Sequence, residues 1–385
     1  MRILFDLYTT QFFVGGGAEY IRKVFYTIKE EITKRGSCDT LIALVDTSVG
    51  KFAYKDLAPD CLKASGLQVE DLKGRTLKNI ISDAKIDKVF IGVAQYWGYL
   101  DLESISCPAV CVIHDLCNEE YEFNKIDEYV RLNNFKGLLR YKFHFLRHKK
   151  KHLDKIPKII KQAQINPDFQ LVTVSEYSKS SICYNFDYPK DSIKVLYSPE
   201  RVNIYRDEIE CADLQQLLYS KKRYYLMLNA NRIMKNATKA FHAFKRYQEI
   251  TGNDVYLVTT GCKERMFGRH IIMPYLSDSD LVQLTRNCYA LLFPSFFEGF
   301  GYPPVEAMSY SKPVLSSNVT SMPEILGDAP IYFSPFYETD IFNALQKLTD
   351  DNYNDYSLKS KTRYKEVCAK QKEDLVSLIN LILSF

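Results

Sequence analysis

Two doubly wound α/β domains are the architecture this sequence predicts, on three observations. Short apolar runs alternate with amphipathic helical stretches along the whole of the 385-residue chain. That alternation is the pattern of parallel sheets covered by helices. The length exceeds what one hydrophobic core usually serves and leaves each of two domains a substantial interior. Hydrophobic content of 46% and charged content of 25% are ordinary globular values.

The elements follow in order. In the first half, strands are predicted at 2–7, 40–45, 88–93, 109–114 and 171–175, each an apolar run bounded by turn-forming or charged residues. In the second half the same reading gives 224–228, 255–259, 290–293 and 313–316. The polar segment 197–223, carrying YRDEIE, reads as the connection, with the boundary near Asp213 and domains of 1–212 and 213–385. Val367, Leu375, Leu378 and Leu381 recur at helical spacing and predict a closing helix. No internal repeat is visible.

The net charge of +4 is mild, and no nucleic-acid module is recognisable. The opening MRILFDLYTT reads as a strand, without the apolar core and cleavage site of a secretion signal, and no run of 18 apolar residues exists. A cytoplasmic protein without a spanning helix is expected. The ten cysteines contain no C-x-x-C pair and read as reduced, largely apolar-context residues. Cys107, Cys111, His114 and Cys117 look at first like soft-metal ligands, but strand alternation sends Cys111 and His114 to opposite faces. No metal site is expected.

The richest stretch is FPSFFEGFGYPPVEAM, 293–308. The apolar run 289–293 reads as a buried strand, and Pro303-Pro304 suit a first helical turn, where a missing N–H costs nothing. Gly299 and Gly301 permit a tight loop with close backbone approach, so Glu298-Gly299-Phe300-Gly301 aims free N–H groups and a helix N-terminus above the strand end. Phosphate or sugar oxygens suit such a place. Glu298 on the loop and Glu306, expected in the first helical turn, add two acceptors for hydroxyl groups. Upstream, Asn231-Arg232-Ile233-Met234-Lys235-Asn236 follows a strand, so Arg232 and Lys235 stand where fixed cations neutralise a departing diphosphate. Two solvated bases at a helix start are the bland alternative.

Val14-Gly15-Gly16-Gly17-Ala18-Glu19 follows the first strand and precedes a helix, where backbone N–H groups can approach an anion. It lacks the spacings of dinucleotide-binding and P-loop sequences. His114-Asp115 ends a strand and faces wherever that sheet binds ligand. Ser175 in Val174-Ser175-Glu176-Tyr177-Ser178 reads as a helix N-cap, and capping suffices to explain it. The interval 135–161 mixes ten Lys or Arg with aromatic and aliphatic residues, a composition that fits either an anionic membrane surface or a solvated basic helix. His144, His148 and His152 share a helical face there, but neighbouring lysines would repel a metal.

These motifs resemble one family, the retaining glycosyltransferases of family 4, also called glycosyl transferases group 1, with the GT-B fold. FPS, EGFG, P-x-E-A-M, KPV and GDA all stand in the family's order between 293 and 329. The resemblance implies that Glu298 accepts hydrogen bonds from the donor hexose, that Glu306 binds the ribose of a nucleotide-diphosphate sugar, and that Arg232 and Lys235 hold its phosphates. It further implies contact of Gly16 and Gly17 with donor phosphate or acceptor, and places His114 near the sugar. The first domain would bind a glycan or lipid-linked acceptor and the second the donor, with the last helix crossing back to the first. No cofactor is implied. Ser311 departs from the pattern, since the family has Gly before Lys-Pro-Val. The resemblance also implies a place in bacterial surface polysaccharide or lipopolysaccharide assembly. A nucleotide-sugar epimerase and a catalytically silent glycan-binding partner are the competing readings. A glycoside hydrolase, which also uses two carboxylates, has no use for the cationic diphosphate site.

Overall fold

The computed structural model describes residues 1–12, 15–50, 52–96, 105–120, 155–201, 208–262 and 265–384. Of the basic stretch, 135–154 lies outside them, as does Val14. The chain divides into two units. Residues within 1–120, 144–202 and 370–385 belong to the first, and those within 203–369 to the second.

The first unit contains seven strands: β1 (Arg2–Asp6), β2 (Thr40–Val45), β3 (Gln68–Asp71), β4 (Lys88–Ile91), β5 (Ala109–Ile113), β6 (Phe169–Thr173) and β7 (Ile193–Val195). They form one sheet in the order β3-β2-β1-β4-β5-β6-β7, and every pairing is parallel. The second unit holds β8 (Tyr224–Met227), β9 (Tyr256–Thr260), β10 (His270–Met273), β11 (Ala290–Phe293), β12 (Val314–Ser317) and β13 (Ile331–Phe333). Their order is β10-β9-β8-β11-β12-β13, again parallel throughout. Strands covered on both faces need apolar side chains at every position rather than at alternate ones. Thus β4, β5, β8, β11 and β12 are buried along their whole length.

The helices that position the sites are α1 (Gly16–Arg35), α2 (Lys155–Ile165), α3 (Glu176–Phe186), α4 (Ala212–Tyr219), α5 (Ala237–Thr251), α6 (Tyr302–Ser309), α7 (Met322–Leu326), α8 (Glu338–Lys347) and α9 (Tyr353–Leu383). In the second unit α5 lays Ala240, Phe244 and Tyr247 against Tyr225, Leu257 and Ala290, and α8 adds Ile341 and Leu345 to the same core. The segment read as a linker contains α4, whose Leu214 and Leu217 are buried.

The last part of α9 completes the first unit. Lys88, buried at the start of β4, donates through Nζ to the carbonyls of Leu381 (2.8 Å) and Ser384 (2.5 Å), satisfying acceptors that a helix end leaves open. Asp374 accepts from the Tyr197 N–H at 2.8 Å, and Gln371 donates to the Ser198 carbonyl at 2.6 Å. Among the described residues no helix is long and apolar enough to cross a membrane.

All ten cysteines are free. Cys111 is a buried core residue, and no described group of His, Cys, Asp and Glu is arranged to hold a metal.

Candidate active site

In an open parallel sheet the ligand crevice lies beyond the carboxyl ends of the strands, where the strand order reverses. In the second unit that point falls between β8 and β11. The two segments leaving those strands carry Lys235 and Glu298.

After β8 the chain runs through Asn229, itself at positive φ, to a single 3-10 turn, Ile233–Lys235. Asn236 then takes the left-handed conformation (φ 56, ψ 41) and caps α5. Asn tolerates this region better than most residues. Its side chain fixes the site: Nδ2 donates to the carbonyls of Pro294 (3.1 Å) and Pro335 (2.8 Å). One buried amide therefore ties the segments after β8, β11 and β13 together. The Phe296 N–H adds a bond to the Met234 carbonyl at 2.8 Å.

Held this way, the Lys235 ammonium donates to Glu298 Oε1 at 2.5 Å, with only 10% and 17% of the two side chains exposed. It also sits 4.5 Å from the centre of the Phe293 ring. An ammonium carries three protons and Glu298 takes one, so the group retains donors for a second anion. Arg232, three residues earlier, is exposed and forms no ion pair among the described residues.

The loop 294–301 is clamped from the β12–α7 side. Thr320, at positive φ, accepts the Glu298 N–H through Oγ1 (3.2 Å), and Ser321 Oγ donates to the Glu298 carbonyl (2.9 Å). Both backbone groups of Glu298 are thereby fixed. Gly301 adopts φ 84, which favours glycine, and a Cβ there would stand 2.4 Å from Met322 Cε, so the buried Met322 chain would have to shift. It opens α6, with the proline pair in the first turn. Glu306 corrects an expectation. Because the helix begins at Tyr302, Glu306 is its fifth residue and lies in the second turn rather than the first. It is half-buried. Ser311 ends this helix at φ 57, and its N–H bonds to the Met308 carbonyl. The family's Gly is thus replaced by a residue that holds the left-handed helix end at a cost.

In the first unit the strand order reverses between β1 and β4. Gly16 and Gly17 are the first two residues of α1, whose ladder begins with Glu19 N–H to the Gly15 carbonyl, so the amides of 16–18 precede it. A Cβ on Gly17 would press on Val93 at 3.2 Å. Glu19 is internal: it accepts from the Tyr54 hydroxyl at 2.5 Å and lies 3.8 Å from Arg22.

His114 follows β5. Its Nε2 lies 2.9 Å from the Gly92 carbonyl, which can only accept, so this nitrogen carries the proton and Nδ1 bears the lone pair. Burial pushes the pKa down to about 4, against the opposing pull of Gly92. The imidazole is neutral at physiological pH, with Nδ1 an acceptor. Ser175 caps α3 by accepting the Ser178 N–H at 3.2 Å, and Ser178 Oγ donates to the His114 carbonyl at 2.8 Å.

Residues 212–366 match the family described as glycosyl transferases group 1. That match falls within the second unit and leaves the first unmatched. The O-antigen chain mannosyltransferase B of Escherichia coli is 34% identical over 207 residues, which is 48% of this chain and 53% of that protein. The chain thus spans about half the length of this relative. Among solved structures, Anabaena Alr3699/HepE in complex with UDP and glucose superposes with a TM-score of 0.66 at 14% identity, covering 100% of both chains. WaaG, a glycosyltransferase involved in lipopolysaccharide biosynthesis, gives 0.62 at 14%, also with full coverage of both. At such identity these likenesses establish the fold, which is GT-B. Within the matched residues the Lys235–Glu298 contact brings together two motifs that lie far apart in the sequence.

Proposed function

We propose that the protein transfers a hexosyl unit, mannosyl by its relatives, from a nucleoside-diphosphate sugar to a glycan or lipid-linked acceptor, with retention of configuration and without a metal. The observation that carries this reading is the close Lys235–Glu298 pair at the strand-order reversal, flanked by the amino end of α6. A cation facing a departing diphosphate stabilises charge that develops only in the transition state. Arg232, exposed at the same strand end, is the second cation. Glu306 serves the ribose, and Glu298 the hexose.

In the proposed step the bond from C1 to the diphosphate oxygen breaks and the leaving group takes the electron pair. The acceptor hydroxyl then bonds to C1 on the same face of the oxocarbenium-like centre, and its proton passes to a departing phosphate oxygen. Neutral His114 and the amides at Gly16 and Gly17 orient substrate groups and carry no covalent chemistry. The setting we propose is assembly of a bacterial surface polysaccharide or lipopolysaccharide at the inner face of the cell membrane, in line with the names of its relatives.

The test is turnover. Purified protein is incubated with GDP-mannose or a UDP-hexose and a mannose-terminated acceptor, in chelator, and the anomeric linkage of the product is read by NMR. Inversion at C1, or activity that requires an added divalent ion, would overturn those parts of the reading. Isomerised sugar nucleotide without acceptor would favour the epimerase. Glu306→Ala should weaken nucleotide-sugar binding about tenfold with Tm unchanged, and equal affinity would remove Glu306 from the donor site.

A further inference from the structure

Seven described non-glycine residues have positive φ, and Thr320, at φ 55, is the β-branched one among them. The other six carry an unbranched Cβ, and some of them end a helix: Asp187 caps α3, and Ser311 closes α6. Helix ends favour the left-handed region. For a β-branched residue the same conformation is a genuine outlier, because both Cβ substituents crowd the backbone. Thr320 ends no helix. It stands in a turn closed by the Met322 N–H on the Val319 carbonyl at 3.2 Å, and Ser321 follows at φ −76 and ψ −7. A positive φ followed by these angles describes a type II′ turn, whose first central position is ordinarily glycine.

What this turn grips is the Glu298 loop. Thr320 Oγ1 accepts the Glu298 N–H at 3.2 Å, Ser321 Oγ donates to the Glu298 carbonyl at 2.9 Å, and the buried Met322 side chain lies against Gly301. Three consecutive residues thus hold both ends of 298–301. Of the three, Thr320 does so from a strained backbone. The direction of its Cβ follows the backbone angles, so the hydroxyl reaches Glu298 in the very conformation that strains the residue. The Glu298 carboxylate, on the same residue, is the group paired with Lys235.

Fold stability alone gives little reason for threonine here. Glycine would remove the strain, and that gain is similar in size to the single hydrogen bond lost with the hydroxyl. Backbone strain persists where the surroundings enforce it, and it clusters at functional sites. The reason left is the place of the Glu298 backbone.

We propose that Thr320 is a positioning residue of the donor site: through the Glu298 N–H it fixes the loop so that the carboxylate meets the hexose. It touches no substrate itself. This inference rests on the reading that Glu298 serves the hexose. Thr320 thereby governs the part of recognition that separates a nucleotide sugar from the free nucleoside diphosphate.

The experiment compares wild type with Thr320→Gly, Thr320→Val and Thr320→Ser. Thermal melts are read beside calorimetry with GDP, GDP-mannose, UDP and UDP-glucose, and beside kcat and KM for the donor that the wild type uses. Thr320→Gly should keep or raise its Tm and bind free nucleotide as wild type does. Its affinity for nucleotide sugar relative to free nucleotide should fall roughly 3- to 10-fold, the effect of one hydrogen bond, and kcat about 10- to 100-fold, as for a displaced reacting group. Thr320→Val should lose function to the same degree and melt earlier, since it keeps the strain and leaves the Glu298 N–H unpaired. Thr320→Ser, which retains the hydroxyl, should restore both the sugar preference and kcat. Equal loss of free-nucleotide and nucleotide-sugar affinity in Thr320→Gly would make the turn a general support and overturn the proposal. A wild type that neither binds a nucleotide sugar nor transfers from one defeats the transfer reading and this inference with it. A wild type that transfers, matched in kcat by the Gly and Val variants, defeats this inference alone.

Discussion

Lys235→Met replaces the ammonium by an apolar chain of similar length and leaves Glu298 without its counter-ion. The pair is 2.5 Å apart and both side chains are largely buried. A charge-assisted hydrogen bond of this kind contributes about 1.5–3 kcal/mol, and stranding the partner of a fully buried pair costs about 3–5 kcal/mol. Glu298 retains some solvent contact, so the expected loss is about 2–3 kcal/mol, a fall in Tm on the order of 5–10 °C. Glu298→Gln alone should cost less, and the double variant should show a coupling of at least ~1 kcal/mol. Turnover should fall by about 10²–10³, the usual penalty for one pre-organised charge-stabilising donor. The assay is kcat/KM by nucleoside-diphosphate release, alongside thermal melts of the four proteins of the cycle. A variant that melts early yet keeps kcat/KM within about threefold would make the pair structural only. Additive melts would show that the two groups do not act together in solution.

Three further outcomes are expected. His114 has a native pKa near 4 against an ordinary 6.5, so as pH falls through that window the unfolded chain takes a proton that the native protein refuses. Stability is therefore full above pH 6.5 and declines toward 4, by at most about 3 kcal/mol from this group; urea melts of His114→Asn should show a shallower slope, and equal slopes would refute the assignment. Gly301→Ala should destabilise by about 1–3 kcal/mol through its Met322 clash and positive φ, whereas Ser311→Gly should stabilise by about 1 kcal/mol at its left-handed helix end; thermal melts moving the other way would contradict the backbone argument. Replacing Lys149, Lys150 and Lys151 by Gln should reduce binding to anionic vesicles at low salt more than at high salt, and unchanged co-sedimentation would return the stretch to an ordinary solvated surface.

Nine strands are legible in the sequence, and the four that escape it, β3, β7, β10 and β13, are the outer strands of the two sheets. Edge strands are short and partly solvated, so they lack the continuous apolar run that reveals a central one. The end of α9 escapes in part for a different reason. Its buried face includes Gln371 and Asp374, polar residues that a hydrophobic pattern passes over because their partners are backbone groups elsewhere in the fold. In the candidate site, Glu298 and Lys235 are visible as motif members, but their contact spans 63 positions and no spacing rule reports it. Asn236, Thr320 and Ser321, which hold the loops in place, act through side-chain bonds to distant backbone. Only an Asn placed just before a helix hints at one of them. Glu306 shifts by a turn because a Pro-Pro pair marks a helix start without saying which residue precedes it.

The return of 370–384 to the first unit sets an order on biosynthesis. Every strand of that unit's sheet has been translated by residue 195, yet the buried Lys88 ammonium waits for partners 293 and 296 residues further on, and the Tyr197 amide and Ser198 carbonyl for partners 177 and 173 residues on. The described residues of the second unit all lie within 203–369 and are made before 370–384. The half encoded earlier is therefore the half finished last. A nascent chain carries its unfinished first unit through the whole synthesis of the second, the interval in which a holding chaperone has most to protect.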